Sequence, residues 1–230
     1  MDQLLSIAVA QPRCTPFDVK ANAMAHAEAI RAANARVVVF PEMSLTGYEL
    51  EAAPVRPDDE RLAPIIAACA ENGALALAGA PVPGPYIGVL AIDGEGVRVA
   101  YGKVHLHGSE ADRFIAGEPA VIEVDGWRLG LAICRDTGIP QHAARTAALG
   151  IDGYVAGVIH ADHEAEVLGE RACRVAADHG VWVATAAFAG PTGGGFDQTS
   201  GHSGIWSADG ELLAEAGADP DETARAVFVK

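Results

Sequence analysis

Residues 36–40, RVVVF, form a β-branched and aromatic run with no polar alternation. A strand with one wet face alternates apolar and polar side chains. This run needs cover on both faces, the condition of a strand inside an α/β sheet. Pro41 ends it. Helical periodicity flanks it: Val19, Ala23, Ala27 and Ile30 share one face of a helix predicted over 18–34, with Asp18 as N-cap. A second helix is predicted over 58–72, with Asp58 and Asp59 at its start and Gly73 just past its end.

Strand signals then dominate. ALALAGAPV, YIGVLAID and VRVAYGKV are divided by turn residues such as Asp93-Gly94, and AVIEV and WRLGLAI flank Asp125-Gly126. A helix over 140–149 is entered at Pro140, GYVAGVI is a strand, 163–178 is a helix and VWVATAAFA a strand. HSGIWSA and ELLAEAG form a hairpin around Asp209-Gly210, and ARAVFV follows. No internal stretch is rich enough in Pro, Gly or charge to mark a linker. The expectation is one α/β domain over 1–230 with mixed sheets covered by helices. The longest irregular stretch, PTGGGFDQTSG at 191–201, contains no GK[ST] and is not a P-loop. It reads equally as a loop beside a site or as a connector.

Composition narrows the partners. Half the residues are apolar and a fifth are charged, which excludes a disordered chain, a coiled coil or a collagen-like repeat. Sixteen basic against 31 acidic residues give a net charge of −15, so an acidic surface repels nucleic acid and anionic membranes. Cys14, Cys69, Cys134 and Cys173 are too few and too scattered for a disulfide framework, and none forms a CxxC pair. Reduced thiols, an N-terminus without a basic, long-apolar leader and the absence of a ~20-residue apolar span point to a cytoplasmic protein.

Three apolar strands end in a reactive polar group: Glu42 after VVVFP, Lys103 after VRVAYG and Cys134 after WRLGLAI. Strand ends are where α/β sheets bind ligands. Each residue also has an ordinary reading, the glutamate as a surface acid and the cysteine as a small buried hydrophobe. Lys103, however, is one of only three lysines, with Lys20 and Lys230. His105 and His107 have the two-residue spacing of a metal pair on a strand, which would need a third ligand such as Asp112 or His202.

Taken together, Phe40-Pro41-Glu42 with Leu45-Thr46-Gly47-Tyr48, Tyr101-Gly102-Lys103-Val104-His105-Leu106, Glu110 with Phe114-Ile115-Ala116-Gly117, and Cys134-Arg135-Asp136 with Pro140 resemble the nitrilase superfamily of carbon–nitrogen hydrolases. Arg171-Ala172 and Gly201-His202-Ser203-Gly204-Ile205 add weaker support, and the resemblance runs from Gln3 to about Gly217. It implies a four-layer α-β-β-α sandwich, assembled as a homodimer or higher homo-oligomer, that needs no cofactor and no metal. It also implies roles: Cys134 as nucleophile, Glu42 as general base, Lys103 as the group that stabilises the tetrahedral intermediate, and Glu110 as an additional glutamate beside the lysine.

The chemistry agrees with those roles. A free thiol is only a few per cent ionised at neutral pH and needs a base or cation beside it. The Arg135 backbone N–H at the strand-to-helix turn is a candidate oxyanion donor. Tyr48, Arg135, His160 and Phe188 are candidate substrate-binding residues, although Tyr48 and Phe188 read somewhat more readily as core and His160 equally as a plain strand terminus. Cys14, Cys69 and Cys173 read as structural.

The expected reaction is hydrolysis of a small carboxamide to carboxylate and ammonia through a thioester. N-carbamoyl amine or amino-acid hydrolysis is a rival, nitrile hydrolysis a more distant one, and a non-catalytic binding protein on the same fold another. Departures from the family pattern bear on these alternatives. Nitrile-hydrolysing members carry tryptophan and glutamate after the cysteine, where Arg135 and Asp136 stand here. The arginine and glutamate usual after the aspartate are missing from Thr137-Gly138-Ile139-Pro140-Gln141. The usual asparagine after the late strand is absent from 186–190, and the chain stops at Lys230 without a tail for exchange in a dimer.

Overall fold

The computed structural model describes residues 3–230. Two six-stranded mixed sheets lie face to face. The first has the order β12-β1-β2-β3-β4-β5, from β1 (Leu4–Gln11), β2 (Val37–Val39), β3 (Leu75–Val82), β4 (Tyr86–Ile92), β5 (Val97–Gly102) and β12 (Glu222–Val229). The second has the order β11-β10-β9-β8-β7-β6, from β6 (Val121–Val124), β7 (Trp127–Ile133), β8 (Gly153–Val158), β9 (Trp182–Ala187), β10 (Gly204–Trp206) and β11 (Leu212–Glu215). The centre of each sheet is parallel, β1-β2-β3 in one and β7-β8-β9 in the other. Parallel neighbours need crossover connections, and the helices supply them.

Strand alternation sorts side chains by size. Leu5, Ile7, Val9, Val37 and Val39 face Leu129, Leu131, Ile133 and Trp182 between the sheets. Their sequence neighbours Ala8, Ala10, Val38, Ala76 and Ala78 turn outward beneath helices α1 (Val19–Ala33) and α2 (Ala63–Asn72). On the far side Ala132, Ala156 and Val183 lie beneath α4 (Pro140–Ala147) and α5 (Ala165–His179). Small residues on the outer faces let helices approach closely, and branched or aromatic residues fill the space between the sheets. The result is the expected four-layer α-β-β-α sandwich, with RVVVF covered on both sides.

Helix boundaries shift slightly from expectation. Asp18 caps α1 by accepting from the Ala21 N–H at 2.9 Å. The start of the predicted 58–72 helix is instead a 3-10 turn, Glu60–Leu62, capped by Asp59. A short 3-10 turn, Asp162–Glu164, likewise precedes α5. A separate one-turn helix, α3 (Arg135–Gly138), stands between β7 and α4, because the extended backbone of Ile139 ahead of Pro140 breaks the run.

Candidate active site

Glu42, Lys103 and Cys134 meet at one end of the sandwich, delivered from both sheets. Glu42 follows β2 in a turn held between the two sheets by glycines. A Cβ on Gly79 of β3 would lie 2.4 Å from the Pro41 carbonyl oxygen and the Met43 nitrogen. A Cβ on Gly157 of β8 would lie 2.5 Å from the Phe40 carbonyl oxygen. Only glycine permits this approach from either side, so backbone contacts from both sheets fix the Glu42 turn.

Lys103 directly follows β5. It is 1% exposed, and its Nζ donates to Glu42 Oε1 and Glu110 Oε1, each at 2.7 Å. An ammonium has three N–H bonds, so one stays free for a substrate atom. Glu110, in a 3-10 turn at Gly108–Asp112, also accepts from the Tyr48 hydroxyl at 2.5 Å and from the His107 backbone N–H at 2.7 Å. Both its oxygens are engaged, so it holds Lys103 in place. Glu42 differs: its Oε2 is buried and has no hydrogen-bond partner among the described residues.

Cys134 ends β7 and caps α3 with φ 40° and ψ −97°. A non-glycine residue persists in such strained backbone only when its surroundings enforce it. Here the Cys134 N–H donates to the Gly157 carbonyl at 3.0 Å, while its carbonyl accepts from the Thr137 N–H and hydroxyl at 2.9 and 2.7 Å. The turn presents the thiol to the cavity and leaves the Arg135 N–H at the first helical position without an intrahelical partner.

Burial sets the electrostatics. It pushes the Cys134 thiol up to about 12; the Glu42 charge adds to this, and Lys103 only partly opposes it. Burial raises the Glu42 carboxyl to about 7 against the pull of Lys103, with Glu110 reinforcing the rise. Burial alone would lower Lys103, but the charges of Glu42, Cys134 and Glu110 together hold its ammonium above the ordinary lysine value. At neutral pH the thiol therefore rests protonated, the ammonium charged and Glu42 poised between forms. The cation does not by itself make a thiolate, and proton removal falls to Glu42.

A third carboxylate, Asp136, ties the pieces together. It is fully buried and accepts from the Ile133 N–H at 3.0 Å, the His105 N–H at 2.8 Å and the Tyr101 hydroxyl at 2.7 Å. It thereby joins the end of the cysteine strand to the lysine segment. The Tyr101 hydroxyl continues to His142 Nε2 at 2.8 Å, and His142 Nδ1 to the Tyr154 hydroxyl at 2.8 Å.

A cavity of about 250 Å³ opens over Cys134 and Lys103. Tyr48, Arg135 and His160 line it, as the sequence reading proposes. Phe188 does not. It is 1% exposed, buried after β9, and the aromatic wall is instead Phe196, set edge-on to Tyr48 at 5.5 Å between ring centroids. Phe196 belongs to the 191–201 stretch, which is therefore a loop beside the site. It pairs with itself at Gly193 and Phe196, and Thr199 pairs with Ala161. Arg171 from α5 also lines the cavity. The sequence offered no role for Asp136 or Phe196, and it counted Arg171 only as part of a motif. The lone aromatic in a glycine-rich stretch was the one signal for Phe196.

The histidine pair is split between tasks. His105 Nδ1 lies 3.0 Å from Asp136 Oδ1, while His107 is exposed at the cavity. Among the described residues no three His, Cys, Asp or Glu side chains are grouped to hold a metal ion. No helix among them is long and apolar enough to cross a membrane.

An α-β-β-α sandwich carrying a thiol on a strained strand–helix turn beside an ammonium held by two buried carboxylates defines a narrow class of protein. The sequence matches the carbon-nitrogen hydrolase family over residues 6–227, and the chain belongs to that family. A hydrolase in the pqqF 5' region of Pseudomonas protegens is 37% identical over 165 residues, which cover 64% of this chain and 57% of that protein. Among solved structures, a glutamate-to-glutamine mutant of the amidase from Nesterenkonia sp. has a TM-score of 0.85 at 25% identity, covering 96% of this chain and 92% of that one. That structure shows the result of Michael addition of acrylamide at the active-site cysteine. The same mutant carrying the acetamide moiety of fluoroacetamide on that cysteine has a TM-score of 0.83 at 25% identity, over 97% of this chain and 90% of that one. The amidase belongs to the nitrilase superfamily.

Proposed function

We propose that this protein hydrolyses the C–N bond of a small carboxamide, releasing carboxylate and ammonia through a thioester on Cys134. The observation that carries the reading is Lys103, buried between Glu42 and Glu110 with one N–H free among the described residues, in the wall of the cavity that holds the Cys134 thiol. As sulfur attacks the amide carbon, the unpartnered Oε2 of Glu42 takes the thiol proton. The carbonyl oxygen becomes an oxyanion facing the third N–H of Lys103 and the backbone N–H of Arg135. Each such donor contributes ~3–4 kcal/mol to lowering the barrier.

Glu42 then passes its proton to the nitrogen, the C–N bond breaks, ammonia leaves and the acyl group stays on sulfur. Water enters, gives a proton to Glu42 and attacks the thioester. The collapsing intermediate releases the carboxylic acid, and the proton on Glu42 returns to the thiol. A single base serves both halves of the cycle, which suits a carboxyl near neutrality. The Nesterenkonia amidase supports the reading, since its active-site cysteine forms covalent adducts with two small amides.

The test is ammonia release across short amides, N-carbamoyl amino acids and nitriles, with Cys134→Ala as control and mass spectrometry for an acyl adduct on Cys134. Full ammonia release by Cys134→Ala on the best amide overturns the mechanism. Carbon dioxide released alongside ammonia reassigns the substrate to the carbamoyl class. A non-catalytic binding protein predicts no ammonia from any of them. Iodoacetamide would then label Cys134 no faster than Cys14, Cys69 or Cys173.

A further inference from the structure

Most positive charge in this acidic chain is already neutralised. Among the described residues, nine of the thirteen arginines have a carboxylate oxygen within 4.0 Å. Two of the four that do not, Arg135 and Arg171, line the cavity over Cys134. In a protein with 31 acidic residues, two guanidinium groups left without a carboxylate beside the reactive thiol are a conspicuous departure. Lys103 does not share this state, because Glu42 and Glu110 balance it.

Arg171 is the better defined of the two. It is half-buried on α5 and donates once, from Nη1 to the Thr137 hydroxyl at 3.4 Å. Four of its five N–H bonds are thus uncommitted. Its guanidinium lies over α3, where a Cβ on Gly138 would be 3.1 Å from Cζ and 3.2 Å from Nη2. Gly138 therefore leaves the space the guanidinium fills, and a methyl group there would make it give by a few tenths of an ångström. The charge is felt within the cavity: burial and then Arg171 hold the neighbouring His160 down to about 4, so that imidazole stays neutral. Of the two acids that line the cavity, Glu110 is paired with Lys103, and the other, Glu164, opposes an anion. It accepts from the Ala161 N–H at 3.0 Å and pairs with neither arginine.

We infer that Arg171, with Arg135 at the rim, is a carboxylate-binding site, and that the substrate is a small amide carrying a carboxylate at the end remote from the scissile bond. This rests on the amidase reading for its reaction, but the anion site stands on the unpaired guanidinium groups. The cavity, about 250 Å³, has room for a molecule of several heavy atoms. A short dicarboxylic acid monoamide fits that volume. A planar guanidinium with parallel free N–H bonds matches a carboxylate bidentately, which a lone ammonium cannot do.

The experiment compares succinamate with 4-methylpentanamide, which puts an uncharged isopropyl group where succinamate has its carboxylate. Binding is read first, by calorimetric titration of each compound into the Cys134→Ser protein, where no turnover is needed. Succinamate should bind about tenfold or more tightly than its isostere, the least expected of one charge-assisted pair. Adding Arg171→Gln should remove at least that factor, and Arg171→Lys should restore part of it. Gly138→Ala keeps every charge but displaces the guanidinium, and should also weaken succinamate more than the isostere.

In the wild-type enzyme kcat/KM should favour succinamate by a similar factor, mainly through KM, and the preference should shrink with added salt. Equal or weaker binding of succinamate overturns the inference, as does an Arg171→Gln effect that is the same for both compounds. Absence of ammonia from both compounds, with tight and Arg171-dependent succinamate binding, overturns the amidase reading and leaves the carboxylate site standing.

Discussion

Replacing Asp136 with asparagine tests whether the nucleophile turn and the lysine segment are held as one unit. Oδ1 of Asp136 receives the His105 N–H, and Oδ2 receives the Ile133 N–H and the Tyr101 hydroxyl. Asparagine keeps one oxygen and puts an NH2 group where the other was. Tyr101 can turn its hydroxyl toward His142, 2.8 Å away, but a backbone N–H cannot turn. Whichever way the amide sits, the His105 or the Ile133 N–H is left facing another donor. An unsatisfied buried donor costs ~1–3 kcal/mol, and each bond that remains loses its charge assistance, ~1 kcal/mol apiece. The sum is ~3–5 kcal/mol, which corresponds to a fall in Tm of roughly 10 °C for a chain of this size. Because the two segments then drift relative to each other, kcat should fall by ~10²-fold while KM changes less. Scanning calorimetry and steady-state ammonia release read the two effects. A Tm within about 3 °C of wild type together with an unchanged kcat would refute the clamp.

Other consequences are equally direct. With Glu42 raised to about 7 and required as its carboxylate, kcat/KM should climb as pH rises through about 7 and then level off. Glu42→Gln should lose ~10²–10⁴-fold activity together with that limb, and a surviving limb assigns the base elsewhere. Gly157→Ala forces a methyl group against the Phe40 carbonyl and should cost ~1–3 kcal/mol and much of the activity. A fully active alanine variant would show that the Glu42 turn is not clamped.

Burial holds His26 and His160 neutral, each down to about 4. Their contribution to stability is complete above about pH 6.5 and is lost as pH falls toward 4. Glu42 works the other way, favouring the fold as pH drops from about 7 toward 4.5. Two groups outweigh one, so the urea midpoint should fall between pH 7 and pH 5, and by less in His160→Gln. An equal fall in that variant removes His160 from the account.

The strands were legible because both faces are covered. RVVVF, WRLGLAI and GYVAGVI are apolar apart from Arg36 and Arg128 near their starts, and turn residues such as Asp125-Gly126 mark where they reverse. The ends of RVVVF, VRVAYG and WRLGLAI gave Glu42, Lys103 and Cys134, because an isolated polar group after a largely apolar strand is conspicuous. What stayed hidden depends on contacts distant in sequence. Asp136 looks like any acid in a first helical turn until Tyr101 and His105 come to it from the other sheet. Gly79 and Gly157 look like weak strand residues until the Glu42 backbone passes between them. Phe188 and Phe196 are equally aromatic in the sequence. Chain direction puts Phe188 in the core and Phe196 at the cavity, and periodicity does not encode that choice.

The Glu42 turn and Lys103 come from one sheet, the Cys134 turn and the Gly157 brace from the other. Neither half of the sandwich alone contains a reactive centre. Catalysis is therefore a gauge of how the halves are docked, at a finer scale than circular dichroism detects. Mild denaturant, pressure or heat that lets the sheets slide by a fraction of a strand spacing should silence the enzyme while its strands and helices persist. The order of those two losses would report how cooperative the seam between the sheets is.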